Sequence, residues 1–325
     1  MLLKTHFPLA LILMVFIQAC TLAVEEKGKY ANSGGNGTGG TSMKNEEASG
    51  TVLRDSTKYY FDYDLKNAIQ EVSLPGELRE VSGLSLSHDG AYLLAVNDEQ
   101  GKVFFLDSNR GKVIREISFG EPGDYEGIEM VGHHIYIVRS DGVIFEVDYS
   151  GQADRKAKPH YTALTVDHDV EGLGYDKANH RLLVACKGKA GEGKAFEGKR
   201  AIYSFSLDSM QLSREPAFLL SGEMAVAKEA FREAWWSDVL AGPFVPSAIS
   251  VHPVTGHIYI LSSKGKGRAI LVMAPSGELL CIRELDKDPF NQPEGICFAP
   301  DGTMYISTEA KGKRGKGRIF KFEML

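Results

Sequence analysis

A short motif recurs five times along this chain and constrains its fold more than any other feature. Each copy has an acidic or small residue, a step of small residues, and then alternating apolar positions. We align the copies on Glu80, Glu126, Glu171, Ser247 and Glu294. These positions lie 46, 45, 76 and 47 residues apart. A period of about 45 residues is typical of one four-stranded sheet per repeat, which predicts an all-β protein with the β-propeller fold.

The second repeat shows the pattern of a single blade. Alternating apolar, β-branched and aromatic residues predict strands A to D, counted from the axis outward, at 127–131, 134–138, 143–147 and near 161–165. Corresponding alternation follows the other copies of the motif. The sequence therefore predicts five four-stranded blades.

The two ends of the domain are expected to interlock. The chain ends on a C strand at 318–322, and residues 68–74 have the character of a D strand. This N-terminal strand would complete the last blade and remove an open sheet edge. Residues 59–63 are left over, either as an extra edge strand or as part of a sixth blade. The long third interval contains helical periodicity at 222–240, which predicts one helical insertion.

The N-terminus has the pattern of an export signal. Residues 1–19 combine a short basic start with an apolar run, and Cys20 follows Ile17, Gln18 and Ala19. This ending resembles the lipobox of bacterial lipoproteins, which implies lipidation of Cys20 and a place in the bacterial cell envelope, at the outer membrane in a Gram-negative host. The alternative is an ordinary secretory signal. Residues 20–57 are Gly- and Ser-rich and predict a flexible tether ahead of a propeller domain at 58–325.

Composition excludes some function classes. A net charge of −6 gives no reason to expect a nucleic-acid partner, and we expect a monomer. Apart from Cys20 the chain has Cys186, Cys281 and Cys297, an odd number that argues against a disulfide framework. Their apolar surroundings predict buried free thiols.

The topology of a propeller predicts where ligands bind. D-to-A connections and B-to-C loops share one face, and the motif residues enter strand A there, beside the axis. Clustered carboxylates repel one another unless protonated or neutralised by a cation, and oxygen ligands favour Ca²⁺. The predicted metal ligands are Glu80, Glu126, Glu171, Glu294 and Asn97. Alternatively, the glutamates cap the inner strands and bind no metal.

Basic loops are expected on the same face. Three consecutive B-to-C loops are rich in Gly, Lys and Arg, which suggests an arc that grips an anionic small molecule; solvated hairpin tips are the alternative. The predicted ligand-binding residues are Asp98, Arg139, Lys187, Ser262, Lys264, Arg268, Glu309 and Lys311.

The motif set resembles the SdiA-regulated family of exported bacterial β-propellers. The resemblance covers about residues 59–325 and is carried by the segments 78–84, 124–128, 169–173, 246–253 and 292–296. The family is similar to phytase-like and gluconolactonase-like propellers, which bind divalent metal through axial Glu, Asn and Asp. That similarity implies a Ca²⁺ site and a phosphoester or lactone substrate.

Two functions follow from these patterns. The first is a calcium-associated binding module in the cell envelope for an anionic ligand or a protein partner. The alternative is a metal-dependent hydrolase. Because no general base or nucleophile stands out in the sequence, we favour the binding module.

Overall fold

The computed structural model of the protein describes residues 59–150, 157–221, 224, 244–263 and 268–325. Several predicted features lie outside these residues: the signal peptide at 1–19, the tether at 20–57, Cys20, Lys264, and the helical insertion at 222–240 apart from Met224. Within the described ranges, no helix has the length and apolar character needed to cross a membrane.

The described strands form five antiparallel sheets, which confirms the predicted five-bladed all-β propeller. The first blade contains β2 (Val81–Leu86), β3 (Tyr92–Asn97), β4 (Lys102–Asp107) and β5 (Val113–Ser118). The second contains β6 (Tyr125–Val131), β7 (His134–Arg139), β8 (Ile144–Asp148) and β9 (Lys158–His160). The third contains β10 (Val170–Asp176), β11 (Arg181–Cys186), β12 (Arg200–Ser206), β13 (Gln211–Leu212) and β14 (Phe218–Leu220). The fourth contains β15 (Pro246–Val251), β16 (Ile258–Ser262), β17 (Ala269–Met273) and β18 (Leu279–Glu284). The fifth contains β19 (Pro293–Phe298), β20 (Met304–Thr308), β21 (Arg318–Phe322) and β1 (Gln70–Ser73).

Three details differ from the regular blades that the sequence predicts. In the third blade, β13 and β14 both pair with β12, so two short strands share the outer position. The described residues also contain three short 3-10 helices, at Gly76–Leu78, Lys177–Asn179 and Lys194–Phe196. The second blade's outer strand is β9, earlier in the chain than the predicted 161–165.

The N-terminal strand closes the ring as predicted. β1 pairs antiparallel with β21, and Val72 lies opposite Ile319. The last blade therefore joins strands from both ends of the domain, and unfolding one end removes the edge partner of the other.

Residues 59–63 correct the sequence prediction, because they form neither an edge strand nor a sixth blade. They form an extended arm that packs over the A-to-B turns of the fourth and fifth blades. Tyr63 is buried, and its hydroxyl donates to the carbonyl oxygen of Gly302 at 2.6 Å. His252 Nδ1 accepts from the backbone N–H groups of Val254 and Thr255, so its proton sits on Nε2, which donates to the Tyr63 hydroxyl at 2.8 Å. We call this arm with its partners the aromatic clasp.

The core is divided among the blade interfaces. Five clusters of buried apolar side chains fill the spaces between neighbouring blades, one cluster for each interface. Leu183, Ile249 and Ile260, for example, pack between the third and fourth blades. Burying one such side chain contributes about 1.5–3 kcal/mol, so each blade is held by both neighbours and the five inner strands are fixed around the axis.

Candidate ligand-binding site at the axial mouth

The five inner strands begin with the same β-bulge, and this bulge sets the ring of side chains at the axis. In β6, Tyr125 pairs with Arg139 and Gly127 with Val138, so Glu126 is the extra residue. In β2, Val81 pairs with Asn97 and Leu84 with Ala95. The residue of β2 that corresponds to Glu126 is therefore Ser82.

The register corrects the sequence alignment of the first repeat, which placed Glu80 at this position. The true set, which we call the inner ring, consists of Ser82, Glu126, Glu171, Ser247 and Glu294. Glu80 lies two residues earlier and is exposed. Its equivalents form the outer ring, which consists of Glu80, Asp124, Asp169, Val245 and Gln292.

Small residues after the bulge bring the inner strands close together. A Cβ on Gly127 would lie 2.8 Å from the backbone nitrogen of Leu173, and one on Gly172 would lie 3.0 Å from that of Ile249. Glycine is thus required for this approach. The result is a narrow axial cavity of about 10 Å³, close to the space of one water molecule, with three glutamates of the inner ring in its lining.

Burial and mutual repulsion make these three carboxyls hard to ionise. The pKa of Glu126 is raised to about 10, mainly by burial. Repulsion from Glu171 and the hydrogen bond to Asp124 raise it further. Burial also raises the pKa of Glu171 to about 7, although Lys187 opposes this shift. The pKa of Glu294 lies well above its usual range because of burial and the neighbouring Glu171. Glu126 and Glu294 therefore hold protons at neutral pH, whereas Glu171 titrates near neutrality beside the ammonium of Lys187.

Each of the three glutamates has a different side-chain partner, which is Asp124 for Glu126, Lys187 for Glu171 and Ser263 for Glu294. Glu126 shares a hydrogen bond with the carboxyl of Asp124. Glu171 accepts a short hydrogen bond from the ammonium of Lys187, whose Nζ also lies 4.0 Å from Asp169. Burial alone would lower the pKa of Lys187, but Glu171 outweighs it and the pKa is raised. Lys187 is therefore a half-buried counter-ion inside the mouth.

A second acidic group extends the mouth toward the first and fifth blades. Burial, followed by repulsion from Glu80, raises the pKa of Asp98 to about 6. Burial and repulsion from Asp98 raise the pKa of Glu309 to about 7, and the amide of Gln292 donates to Glu309 at 2.8 Å. Asp98 Oδ1 is buried without a hydrogen-bond partner in the described part of the chain.

These groups form one electrostatic network, which we call the acidic mouth. Its carboxyls interact across the axis and between neighbouring blades, and Lys187 lies among them. The carboxyl members are Glu80, Asp98, Glu99, Asp124, Glu126, Asp169, Glu171, Glu294 and Glu309. An environment of this kind attracts positive charge.

The acidic mouth offers the oxygen donors that Ca²⁺ prefers, but not in a preformed cage. Among the residues that the structure describes, no group of three or more Asp, Glu, His or Cys side chains is arranged to hold a metal ion. The ammonium of Lys187 already occupies the carboxylate of Glu171. The residues as placed therefore do not fit a Ca²⁺ site.

Two polar residues predicted for the site support the backbone instead. The amide of Asn97 donates to the carbonyl oxygen of Glu77 at 2.8 Å and accepts from the N–H of Gln100 at 2.9 Å. Ser262 is fully buried, and its hydroxyl accepts from the N–H of Val245 at 3.1 Å. Both side chains hold loops at the mouth, and their polar atoms are already engaged.

The basic residues predicted to grip an anion are mostly neutralised by nearby carboxylates. Arg139 donates to both carboxylate oxygens of Asp141, at 3.0 and 2.7 Å. Lys311 contacts Asp288 at 3.1 Å. Arg268 is partly buried, and its Nε has no partner in the described ranges. These pairs reduce the positive charge that was predicted for the three basic B-to-C loops.

Asp124 and Asp169 were not among the site residues predicted from the sequence, although both carried a readable signal. When the repeats are aligned on the small residue after the bulge, an acidic residue stands two positions before the inner ring in three consecutive blades. Ser263, which hydrogen-bonds to Glu294, follows β16 in the B-to-C loop that the propeller topology assigns to this face.

The three described cysteines are buried and free, as predicted. Burial raises the pKa of Cys186 to about 12 and that of Cys281 to about 11. Thiols this hard to ionise are poor nucleophiles.

Several solved structures are similar to this chain, and the first named here has a fold similar to that of the propeller. The glutaminyl cyclase of Myxococcus xanthus matches with a TM-score of 0.50 and 14% identity, over 80% of this chain and 97% of that chain. The PQQ-bound aldose sugar dehydrogenase of Streptomyces coelicolor matches with a TM-score of 0.48 and 13% identity, over 80% and 98%. Hydrazine synthase of Kuenenia stuttgartiensis matches with a TM-score of 0.42 and 15% identity, over 72% of this chain and 57% of that chain. At such identities, similarity extends to the fold alone.

The family comparison is more specific. No curated protein matches this sequence. The model of the SdiA-regulated family matches residues 58–311, which include all five copies of the recurring motif. Because this match covers most of the chain, the protein belongs to the SdiA-regulated family.

Proposed function

We propose that this propeller is a binding module whose acidic mouth takes a cationic ligand. The observation that carries the proposal is the network of nine carboxyls that surrounds the ammonium of Lys187 in the described part of the mouth. An ammonium group is already accommodated there by Glu171. A ligand that carries ammonium groups would find the same partners and would relieve the repulsion that keeps the carboxyls protonated.

The charge of the mouth favours a cation over the anion that the sequence suggested. Of the described basic residues predicted for the site, Lys187, Arg139 and Lys311 are each paired with a carboxylate, and Arg268 is the exception. An anion would have to displace those carboxylates and would then face the remaining ones. An anionic small molecule therefore stays the less favoured ligand, and an envelope protein with a basic surface suits the proposal better.

Ca²⁺ is a second kind of cation to compare with ammonium-bearing ligands at the acidic mouth. Ca²⁺ needs six to eight oxygen ligands, and the described carboxyls would have to move to supply them. An organic ammonium group needs only a few hydrogen-bond acceptors, which are present without rearrangement. We therefore expect the mouth to prefer ammonium-bearing ligands to Ca²⁺.

The test is a calorimetric titration of the full chain with spermidine, Ca²⁺ and inorganic phosphate in separate experiments at pH 7.5. We expect spermidine to bind, with release of protons from the carboxyls as the cation enters. The proton release is measured by repeating the titration in buffers of different ionisation enthalpy. Tight Ca²⁺ binding without spermidine binding would restore the calcium site, and phosphate binding alone would overturn the proposal.

Variants assign the binding to the mouth. Glu171→Gln and Glu294→Gln each remove a buried carboxyl, and we expect at least a tenfold loss of spermidine affinity, equivalent to about 1.4 kcal/mol. Glu116→Gln is the matched control, because Glu116 is an exposed carboxylate paired with Lys102 on an outer strand. Equal losses in all three variants would indicate non-specific attraction to a net negative protein.

We further propose that the module is a lipoprotein anchored to the envelope through Cys20, as the N-terminal sequence implies. The Cys20→Ser variant should move the protein from the membrane fraction to the soluble fraction of the cell envelope. Retention in the membrane fraction would contradict lipidation at this residue. The hydrolase alternative is tested by a screen with phosphoester and lactone substrates, and turnover abolished by Glu171→Gln would support it.

A further inference from the structure

A second cavity lies away from the acidic mouth, between the first and second blades. It has a volume of about 650 Å³, and its lining includes Tyr92, Asp107, Asn109, Arg115 and Tyr149. Tyr92 begins β3 and Asp107 ends β4, so the cavity opens toward the A-to-B and C-to-D turns, on the face opposite the mouth. Its size suits a small organic ligand.

Arg115 is the centre of this cavity, and its guanidinium is held in place by two aromatic rings. The guanidinium carbon lies 5.7 Å from the ring centre of Phe105 and 5.1 Å from that of Tyr149. Arg115 Nη1 also donates to the Tyr149 hydroxyl at 3.0 Å, and the two rings are stacked at 5.1 Å. A guanidinium fixed in this way loses little side-chain entropy when it binds a ligand.

The fixed guanidinium has no ion-pair partner among the described residues. The one carboxylate in the cavity lining, Asp107, accepts hydrogen bonds from the backbone of Asn109 and Arg110 and so stabilises its own turn. Arg181 on β11, by contrast, bonds to Asp176 at 2.8 Å. Arg115 therefore offers donors for which the described part of the chain supplies no carboxylate.

The surface around the opening is apolar as well as basic. The side chains of Tyr92 and Ile114 are 38% and 49% exposed, and both line the cavity. The adjoining turn adds Arg110 and Lys112. Exposed apolar side chains beside an unpaired guanidinium favour a ligand with an oxyanion at one end and a ring or chain at the other.

We propose that this cavity binds a small ring-bearing carboxylate through Arg115. The flat, bidentate geometry of a carboxylate matches the guanidinium fork, and the ring packs against Tyr92 and Ile114. A monoanion is favoured over a phosphate dianion because Asp107 places a negative charge in the same cavity.

The experiment is a set of separate calorimetric titrations of the full chain with benzoate, glucuronate, acetate and inorganic phosphate. We expect benzoate or glucuronate to bind at least tenfold more tightly than acetate, because acetate lacks the ring, and also more tightly than phosphate. Failure of both ring-bearing carboxylates to bind, or equal binding of phosphate, would overturn the proposal.

Two variants test the role of Arg115. Arg115→Lys keeps the charge but loses the planar fork, and it should weaken carboxylate binding at least tenfold. Since Arg115 also packs on Phe105, Asn109→Asp is the second variant: it places a negative charge at an exposed position of the cavity with almost no change of shape. It should abolish binding while leaving the unfolding midpoint nearly unchanged.

Arg283→Lys is the matched control, because Arg283 is also stacked on an aromatic ring, Phe61 at 5.7 Å, but lies outside the cavity. It should leave carboxylate binding intact. Equal weakening by Arg115→Lys and Arg283→Lys would mean that the carboxylate binds elsewhere, and the proposal would fail. Spermidine binding at the acidic mouth is expected to be the same in all three variants.

Discussion

The two faces of this propeller bury polar groups in opposite ways. At the aromatic clasp, Tyr63 and His252 are buried with their polar atoms satisfied by hydrogen bonds. At the acidic mouth, Glu126, Glu171 and Glu294 are buried beside other carboxyls, and their pKa values are raised. The clasp face therefore stabilises the ring, whereas the mouth lowers its stability at neutral pH. Carboxyls with strongly raised pKa values cluster at functional sites, which supports the binding proposed for the mouth.

The largest expected effect comes from removing the centre of the clasp. Tyr63→Ala deletes a buried ring and leaves His252 Nε2 without its acceptor, so we expect a loss of about 3–5 kcal/mol in the free energy of unfolding. Urea denaturation measures the loss. Tyr161→Ala, at a tyrosine that is 80% exposed, is the control and should cost less than about 0.5 kcal/mol. Similar costs for both would remove the contrast between the faces.

Lys187→Met should have the next largest effect, because it leaves Glu171 without its counter-ion. We expect a loss of about 1–3 kcal/mol at pH 8. The loss should shrink as the pH falls toward 5, since a protonated Glu171 needs no partner. Denaturation curves at both pH values test this dependence. Lys189→Gln, which removes an exposed pair with Asp167, is the control; an equal and pH-independent loss in Lys187→Met would contradict the counter-ion role.

Glu126→Gln should raise stability instead of lowering it. The folded pKa of Glu126, about 10, lies above the ordinary value of 4.5. The folded state thus binds more protons between these values, so stability falls as the pH rises through this range. Replacing Glu126 by Gln removes this penalty. We expect a gain of at least about 1.4 kcal/mol at pH 9, which is one pKa unit, and little gain near pH 4.5.

The same pH series provides the contradicting outcome for Glu126→Gln. A variant less stable than the unchanged chain at pH 9 would show that Glu126 contributes as an ionised capping group. That was the alternative role considered for the glutamates from the sequence.

The smallest effect is expected at the rim. Lys311→Gln removes an ion pair whose side chains are 54% and 77% exposed, and exposed pairs contribute little. The expected change is below about 0.5 kcal/mol in the same urea assay. A larger loss would mean that the basic loop of the fifth blade also stabilises the ring. The comparison of mouth and clasp would then be incomplete, because this loop would be a third region that affects stability.

The fold was predictable because it depends on local patterns that repeat. The alternation of apolar residues predicted most of the inner strands. Residues 68–74 have the pattern of an outer (D) strand, which predicted that β1 pairs with β21. The outer strand of the second blade was placed too late because β9, Lys158–His160, shows no alternation. The arm at 59–63 has the composition of a strand, but its tyrosines pack on side chains of the fourth and fifth blades that no local pattern reveals.

The site was only partly predictable, for a geometric reason. An alignment of the repeats on their acidic residues pairs Glu80 with Glu126. The position of the bulge shows instead that Ser82 is the residue equivalent to Glu126. Alignment on Gly83 and Gly127 would have avoided the error, because the close approach of the strands requires a small residue there. Pairing of Lys311 with Asp288 depends on how neighbouring loops meet, which spacing along the chain does not determine.

The clasp also fixes the point from which the rest of the chain departs. Tyr59 contacts Tyr259 through their hydroxyls at 3.0 Å and lies against His257, on the face opposite the acidic mouth. A surface linkage introduced at Tyr59 itself would therefore lie on that opposite side. Immobilising the propeller through this residue should leave the full surface of the mouth available to a partner in solution.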